Sequence, residues 1–277
     1  MSDVTYDALV HDTAFSFLLR ERFRYRRAFL RLNDDPRGFA PQMHPWLVDK
    51  IFAEIQTGIY EEVWAVSEPL AEAARGCAPG TPVRIVPNGV DTERFRAGSA
   101  ERSIGKRAVY LGAFNPWFDS ALLEATAEAL PHWTFDCFGP VNQRAPSRLL
   151  PNLNVRGPIP YHYVSATLRK YRVGLIPIHG DPHMLKSIDP LKSLQHLDTG
   201  LAVASTGQGR LREALGNLAC YGETPATFAG AVEAAGQLSW DPAFIAQARE
   251  HLAGRSWSAI AGELEPVLRA DLSQAGN

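Results

Sequence analysis

The chain has 277 residues, of which 45% are apolar and 21% charged, and a formal net charge of -2. That size and balance describe an ordinary globular protein of one large or two smaller domains, and they exclude a generally basic nucleic-acid binder. Three scattered cysteines, Cys77, Cys137 and Cys220, exclude a disulfide framework and a cysteine-based metal motif, and fit buried thiols in a reducing compartment.

In chain order, the amino-terminal MSDVTYDALVHD has neither a basic segment nor a long apolar one, and no later run reaches 18 uninterrupted apolar residues. A cytoplasmic chain without a span of its own is the expectation. Short apolar runs then alternate with helical patterns, the rhythm of parallel βαβ units. Strands are expected at 7–10, 28–32, 63–67, 84–87, 108–112, 134–139, 153–157, 173–178 and 201–205. The helical pattern at 119–130 opens on Asp119, which suits the cap. The polar stretch at 96–107, RAGSAERSIGKR, reads as an interdomain linker.

One stretch poses a charge problem. In SIDPLKSLQHLDTG, Asp189 and Pro190 signal a helix start and Gly200 a stop, giving a helix over 190–199. Lys192 then falls in the first turn, where the helix dipole disfavours a cation by about 0.3–1 kcal/mol. The helix follows the strand at 173–178, so its first turn lies at the carboxyl edge of a parallel sheet, where such sheets bind ligands. Free amide groups and a lysine together make an anion site, and a phosphate there turns the penalty into an attraction. A solvated surface lysine is the plain alternative.

The motifs PNGVDTERF (87–95), YLGAFNPWFD (110–119), PHWTFDCFGP (131–140), LPNLNVRGPIPY (150–161), VGLIPI (173–178) and DPLKSLQHLDTGLAVAST (189–206) occur in that order. In order and spacing they resemble the nucleotide-binding half of a GT-B glycosyltransferase, most similar to the group-1 (glycosyltransferase family 4-like) enzymes that build bacterial polysaccharides and to the xanthan glucuronosyltransferase type. The likeness covers roughly residues 60 to 260. It implies an α/β fold of two Rossmann-like parallel-sheet domains, the amino-terminal one incomplete. The corresponding division is 1–97 for the acceptor-side domain, 98–255 for the nucleotide-sugar domain, and 256–277 for a helix packing back on the first domain.

The resemblance also implies site residues. Lys192 would contact the donor diphosphate, and the turn Gly112, Ala113, Phe114, Asn115 would bring backbone close to it. Gln195, where the family usually has glutamate, would hydrogen-bond the ribose. Ile159 and Tyr161 would hold the base, and Ile178, His179, Ser187 and Asp189 complete the substrate-binding set. Trp117 and Trp133 read as core. No cofactor or metal is implied; the donor substrate is a nucleotide-diphosphate sugar, with UDP the expected nucleotide, and the chain has no D-x-D metal signature.

The segments at 6–12 and 28–36 are similar to the fourth and fifth strands of the family's first domain, and 63–76 to its last. The first three strands have no counterpart. An inverting transferase needs a base for the acceptor hydroxyl; Asp34 and Asp35 are the first candidates and His11 and Asp12 the next, with a turn as the local alternative for Asp34-Asp35-Pro36. Whether the enzyme inverts or retains stays open.

The stretch RERFRYRRAFLR (20–31) carries six arginines against one glutamate, interleaved with aromatic residues. It suits contact with a membrane surface or reads as a solvated helix leading into a strand. Two functions remain: a glycosyltransferase acting on a saccharide or lipid-linked acceptor, or a non-catalytic nucleotide-sugar-binding module. Exposed sheet edges point to a homodimer or a partner subunit. A dinucleotide oxidoreductase is remote, since no G-x-G-x-x-G follows a strand.

Overall fold

Ten strands, each in a parallel ladder, form two separate sheets in a computed structural model that describes residues 4–12, 16–38, 45–96 and 105–270. The strands are β1 (Thr5–His11), β2 (Arg24–Leu32), β3 (Glu62–Ala65), β4 (Val83–Ile85), β5 (Arg107–Leu111), β6 (Thr134–Phe138), β7 (Leu153–Val155), β8 (Val173–Ile176), β9 (Ala202–Ser205) and β10 (Ala219–Tyr221). The helices are α1 (Pro45–Gln56), α2 (Glu68–Cys77), α3 (Thr92–Arg96), α4 (Ser120–Ala129), α5 (Val164–Leu168), α6 (Pro182–Ser187), α7 (Leu191–Asp198), α8 (Leu211–Leu215), α9 (Pro225–Leu238), α10 (Pro242–His251) and α11 (Trp257–Arg269).

The chain divides into two compact units. Unit 1 holds residues 1–88, 181–189 and 257–277, and unit 2 holds 89–180 and 190–256. The division falls at 88/89; the stretch expected as a linker lies mostly outside the described residues, as does the expected 97/98 boundary.

In unit 1 the strand order is β1-β2-β3-β4, with Thr5 opposite Arg24 and His11 opposite Leu30 at the two ends of the first pair. Successive residues of β2 face opposite ways, as strand geometry requires. Ala28, Leu30 and Leu32 pack with Ile51 and Ile55 of α1 and Leu70, Ala71 and Ala74 of α2. Phe29 packs on the other face with Trp64, Val86 and Ile260 of α11. Burial on both faces is what a parallel sheet demands, and it explains the continuous apolar run at 28–30.

The arginine-rich stretch begins in a 3-10 helix at Ser16–Arg22 and continues as the strand β2, as the helix-into-strand reading expects. Its charge is largely spent locally. Arg20 pairs with Glu54, Arg26 with Asp7, Arg27 with Glu61 and Arg31 with Asp12. Arg22 and Arg24 make no ion pair among the described residues.

In unit 2 the order is β10-β9-β8-β5-β6-β7, so the chain runs outward from β5 through β6 and β7, then returns to β8 and runs outward the other way. That reversal between β5 and β8 opens a crevice at their carboxyl ends, the position where open α/β sheets bind ligands. The core behind it is formed by Phe135, Cys137, Leu175, Val203 and Phe228, all fully buried. No helix among the described residues is long and apolar enough to cross a membrane.

Candidate functional site

A cavity of about 340 Å³ opens at this reversal, lined by the ends of β5 and β6, the loop after β7, and the first turn of α7. Its walls include Gly112, Ala113, Phe138, Gly139, Pro140, Pro158, Ile159, Tyr161, Leu191, Lys192 and Gln195.

Two glycines let the strand ends converge. Gly112 has φ +152°, a conformation that suits glycine, and a Cβ there would sit 2.8 Å from Lys192 Nζ and push the ammonium from its present place. A Cβ on Gly139 would collide with the Gly112 carbonyl. The loops are stitched at this point: Gly112 N–H donates to Phe138 O at 2.9 Å and Gly139 N–H to Gly157 O at 3.0 Å.

Tyr110, one strand residue before Leu111, supports the turn from below. Its hydroxyl donates to Ala113 O at 2.7 Å, and its ring packs on Phe114 and Phe118. The Lys192 ammonium lies 4.8 Å from the centre of the same ring. Lys192 has no carboxylate partner among the described residues. Part of it opens on the pocket while protein encloses the rest, and the resulting desolvation brings its pKa down to about 8. One helical turn on, His196 is wholly buried against Gly174, neither ring nitrogen hydrogen-bonded among the described residues, and desolvation, then the nearby Lys192 charge, lowers it to about 3. The site therefore presents one cation over a neutral floor.

The α7 start differs from the expected one. Pro190, not Asp189, occupies the cap position, and it supplies no side-chain bond. The Asp189 carboxylate accepts from Asn88 N–H at 2.7 Å, and the Asn88 amide donates to Asp189 O at 2.6 Å, both within unit 1. The first turn of the helix that carries Lys192 holds no acidic residue, which leaves its positive end for an anion.

Other expected residues fall elsewhere. The Phe114 side chain is buried in the aromatic cluster beneath the turn. Asn115 does not line the cavity; its carbonyl accepts from Phe118 N–H. Ile178 is buried and locked to Thr206, which donates its hydroxyl to Ile178 O at 2.6 Å. His179 is exposed at the end of the same segment. Ser187 belongs to unit 1, buried in α6 with its hydroxyl donating to His183 O. Trp133 is core, its indole N–H donating to Glu233. Tyr161 is exposed at the cavity rim, braced by Arg94, 5.0 Å from its ring centre, and by the edge of Phe95. Phe138, Gly139, Pro140 and Pro158 were not singled out from sequence, although the FGP and GPIP turns that carry them stand in the motifs.

The candidate bases in unit 1 separate by environment. Asp35 is buried and held by Arg37 through its backbone N–H at 3.0 Å, Nε at 2.9 Å and Nη2 at 2.6 Å, so it builds the turn. His11 is buried against Tyr60 with Nδ1 3.1 Å from Ser16 Oγ, and desolvation lowers its pKa. Asp12 is exposed and accepts from Arg31 at 3.1 Å. Asp34 is exposed and forms no ion pair among the described residues. Desolvation by the surrounding protein lifts its carboxyl to about 6, against the pull of the Arg31 charge.

Comparison with known structures places this architecture. Sucrose-phosphate synthase from Thermosynechococcus elongatus matches with a TM-score of 0.73 at 15% identity, over 97% of this chain and 74% of that one. HepE of Anabaena, captured with UDP and glucose, matches with a TM-score of 0.70 at 12% identity, over 95% of this chain and 77% of that one. The fold is GT-B-like. TarM of S. aureus also matches, with a TM-score of 0.68 at 10% identity over 94% of this chain, which spans about half of its length, 55%. No protein-family model matches the chain, and no curated protein sequence matches it. The GT-B-like chain thus combines a six-stranded second sheet bearing the cavity with a first sheet of four strands among the described residues.

Proposed function

We infer that the chain is a glycosyltransferase that takes a sugar from a nucleotide-diphosphate donor held in the unit 2 cavity. The observation that carries this reading is the uncompensated Lys192 at an acid-free helix start, facing a glycine turn at the sheet reversal. A diphosphate suits all three: the lysine supplies charge, α7 supplies backbone donors, and Gly112 and Ala113 allow close approach. Those groups would stabilise the leaving diphosphate as its charge develops. Gln195, Ile159 and Tyr161 line the same cavity; Gln195 is the proposed ribose contact, and Ile159 and Tyr161 the proposed base contacts. UDP is the proposed nucleotide, in keeping with the motif likeness and with the ligand of HepE.

For the acceptor hydroxyl, Asp34 is the proposed base, because it alone of the four candidates makes no side-chain hydrogen bond or ion pair among the described residues. Within the GT-B enzymes the motif order favours the group-1 type, acting without a metal on a saccharide or lipid-linked acceptor in polysaccharide synthesis. A non-catalytic nucleotide-sugar-binding module is the second reading, favoured by the engagement of Asp35 and His11 in local structure.

The test is a calorimetric titration with UDP and a transfer assay with a panel of labelled nucleotide sugars and oligosaccharide or lipid-linked acceptors. Binding with transfer supports the enzyme, and binding without transfer supports the module. A folded protein that binds no nucleotide diphosphate defeats both.

A further inference from the structure

Arginine supplies most of the positive charge of the chain: of its 28 basic residues only Lys50, Lys106, Lys170, Lys186 and Lys192 are lysines. The first four are exposed, and Lys106 is also tied to Glu233 at 3.2 Å. Lys192 differs from all of them. It alone is enclosed by protein, it has no carboxylate partner among the described residues, and it lines the unit 2 cavity with Nζ beside Gly112.

The groups around this amine are neutral. From β5 the Tyr110 ring faces it at 4.8 Å, and the phenol proton is already given to Ala113 O. From α7, Gln195 shares the cavity and His196 lies one turn away, wholly buried. With the lysine brought down to about 8, roughly a quarter of it is free amine at pH 7.5, against about 0.1% of an ordinary lysine. A desolvated lysine in an apolar pocket is an activated nucleophile. The same place also favours phosphate, because the remaining ammonium and the acid-free first turn of α7 both attract an anion. A nucleophile and an anion site therefore coincide in one cavity of about 340 Å³.

We propose that Lys192 is an acylation site for small acyl phosphates, whose electrophilic carbon stands one oxygen away from the phosphate. With the phosphate held at the start of α7, the free amine of Lys192 attacks the acyl carbon. A nitrogen–carbon bond forms, and the bond between that carbon and the phosphate oxygen breaks. Phosphate leaves with the electron pair, and the proton lost by the amine ends on it. The products are a neutral amide and free phosphate, with no other reactant consumed. A thioester or an anhydride carries the same acyl group but no phosphate as its leaving group, so the site gives it no such anchor. The acylation does not rest on the donor reading; only its effect on UDP does, since the amide removes the one cation of the cavity.

Treatment of the full chain with acetyl phosphate at pH 7.5, followed by peptide mass spectrometry, tests it. Lys192 should be acetylated about tenfold faster or more than any of the other four lysines, which serve as internal references. Two further arms separate phosphate guidance from reactivity alone. With acetic anhydride in place of acetyl phosphate the preference for Lys192 should fall several-fold. Inorganic pyrophosphate should protect Lys192 from acetyl phosphate and leave the rates at the other four unchanged. A rate at Lys192 no greater than at the exposed lysines overturns the proposal, as does an equal preference with the two reagents or a lack of protection by pyrophosphate. Titration with UDP before and after acetylation keeps this inference apart from the donor reading. In a chain that binds UDP, acetylation at Lys192 should lower the affinity about tenfold or more. Selective acetylation of a chain that binds no UDP defeats the donor reading and leaves this inference standing. UDP binding by a chain that shows no preference for Lys192 overturns this inference alone.

Discussion

The ammonium of Lys192 rests 4.8 Å from the ring centre of Tyr110, whose hydroxyl at the same time holds the carbonyl of Ala113 at 2.7 Å. One aromatic side chain thus positions both the cation and the backbone turn of the candidate donor site. A ring face stabilises a nearby cation by about 0.5–2 kcal/mol, more as water is excluded. Here it partly offsets the desolvation that lowers the lysine.

Lys192→Ala should weaken UDP binding by about 1.5–3 kcal/mol at pH 7, the scale of a charge-assisted contact. The pH dependence has a definite sign. The lysine pKa is lowered to about 8, so the cation is present below that pH and lost above it. Affinity should be level from neutral pH to about 8 and then fall, approaching tenfold per pH unit, as binding takes up a proton. Titrations across pH 6.5–10 check this, and Lys192→Ala should flatten the fall.

Tyr110 can be divided by substitution. Tyr110→Phe keeps the ring and removes the bond to Ala113, and should cost about 1 kcal/mol of stability with the pH midpoint of nucleotide binding unmoved. Tyr110→Leu removes the ring from beneath the ammonium and should shift that midpoint to lower pH. Equal midpoints in wild type and Tyr110→Leu would remove the ring from the account.

Asp34 and Asp35 should part company in a transfer assay. With a base lifted to about 6 and a cation lowered to about 8, the pH profile of kcat/KM should be a bell with limbs near those values. Asp34→Asn should remove the acid limb and lower turnover by about 10²–10⁴, with UDP affinity retained. Asp35→Asn should instead lower the melting temperature, because it removes the charge and the Oδ2 acceptor that hold the Arg37 guanidinium.

Gly139→Ala tests the convergence of the strand ends. The added methyl meets the Gly112 carbonyl, so overpacking of about 1–3 kcal/mol is expected, together with weaker UDP binding, since the turn must move. Thermal melts with and without UDP separate the two effects.

All nine expected strands form, within a few residues at their ends, because each is a compact apolar run framed by turn residues. β10 is absent from the sequence reading: Ala219–Tyr221 has three residues and no periodicity to detect. The helix from Asp119 was legible because its cap is local; the carboxylate accepts from Leu122 N–H three residues on. Asp189 carries the same local signal, but the backbone of Asn88, 101 residues away in sequence, takes the carboxylate instead. Asp35 was ambiguous for a related reason, since a turn and a general base call for the same residue. The charge of the arginine stretch was legible and its neutralisation was not, because Glu54 and Glu61 reach it from outside the stretch.

Unit 1 is drawn from three separate parts of the chain, and that sets an order of maturation during synthesis. β1 to β4 leave the ribosome before unit 2, yet Ile260, which seals Phe29 and Trp64, leaves after it. Until then one apolar face of the nascent sheet stands open, a surface of the kind that chaperones shield. Unit 2 needs nothing beyond residue 256 and can close first. Unit 2 therefore matures before unit 1, and a chain released short of α11 would carry a finished unit 2 tethered to an unsealed unit 1.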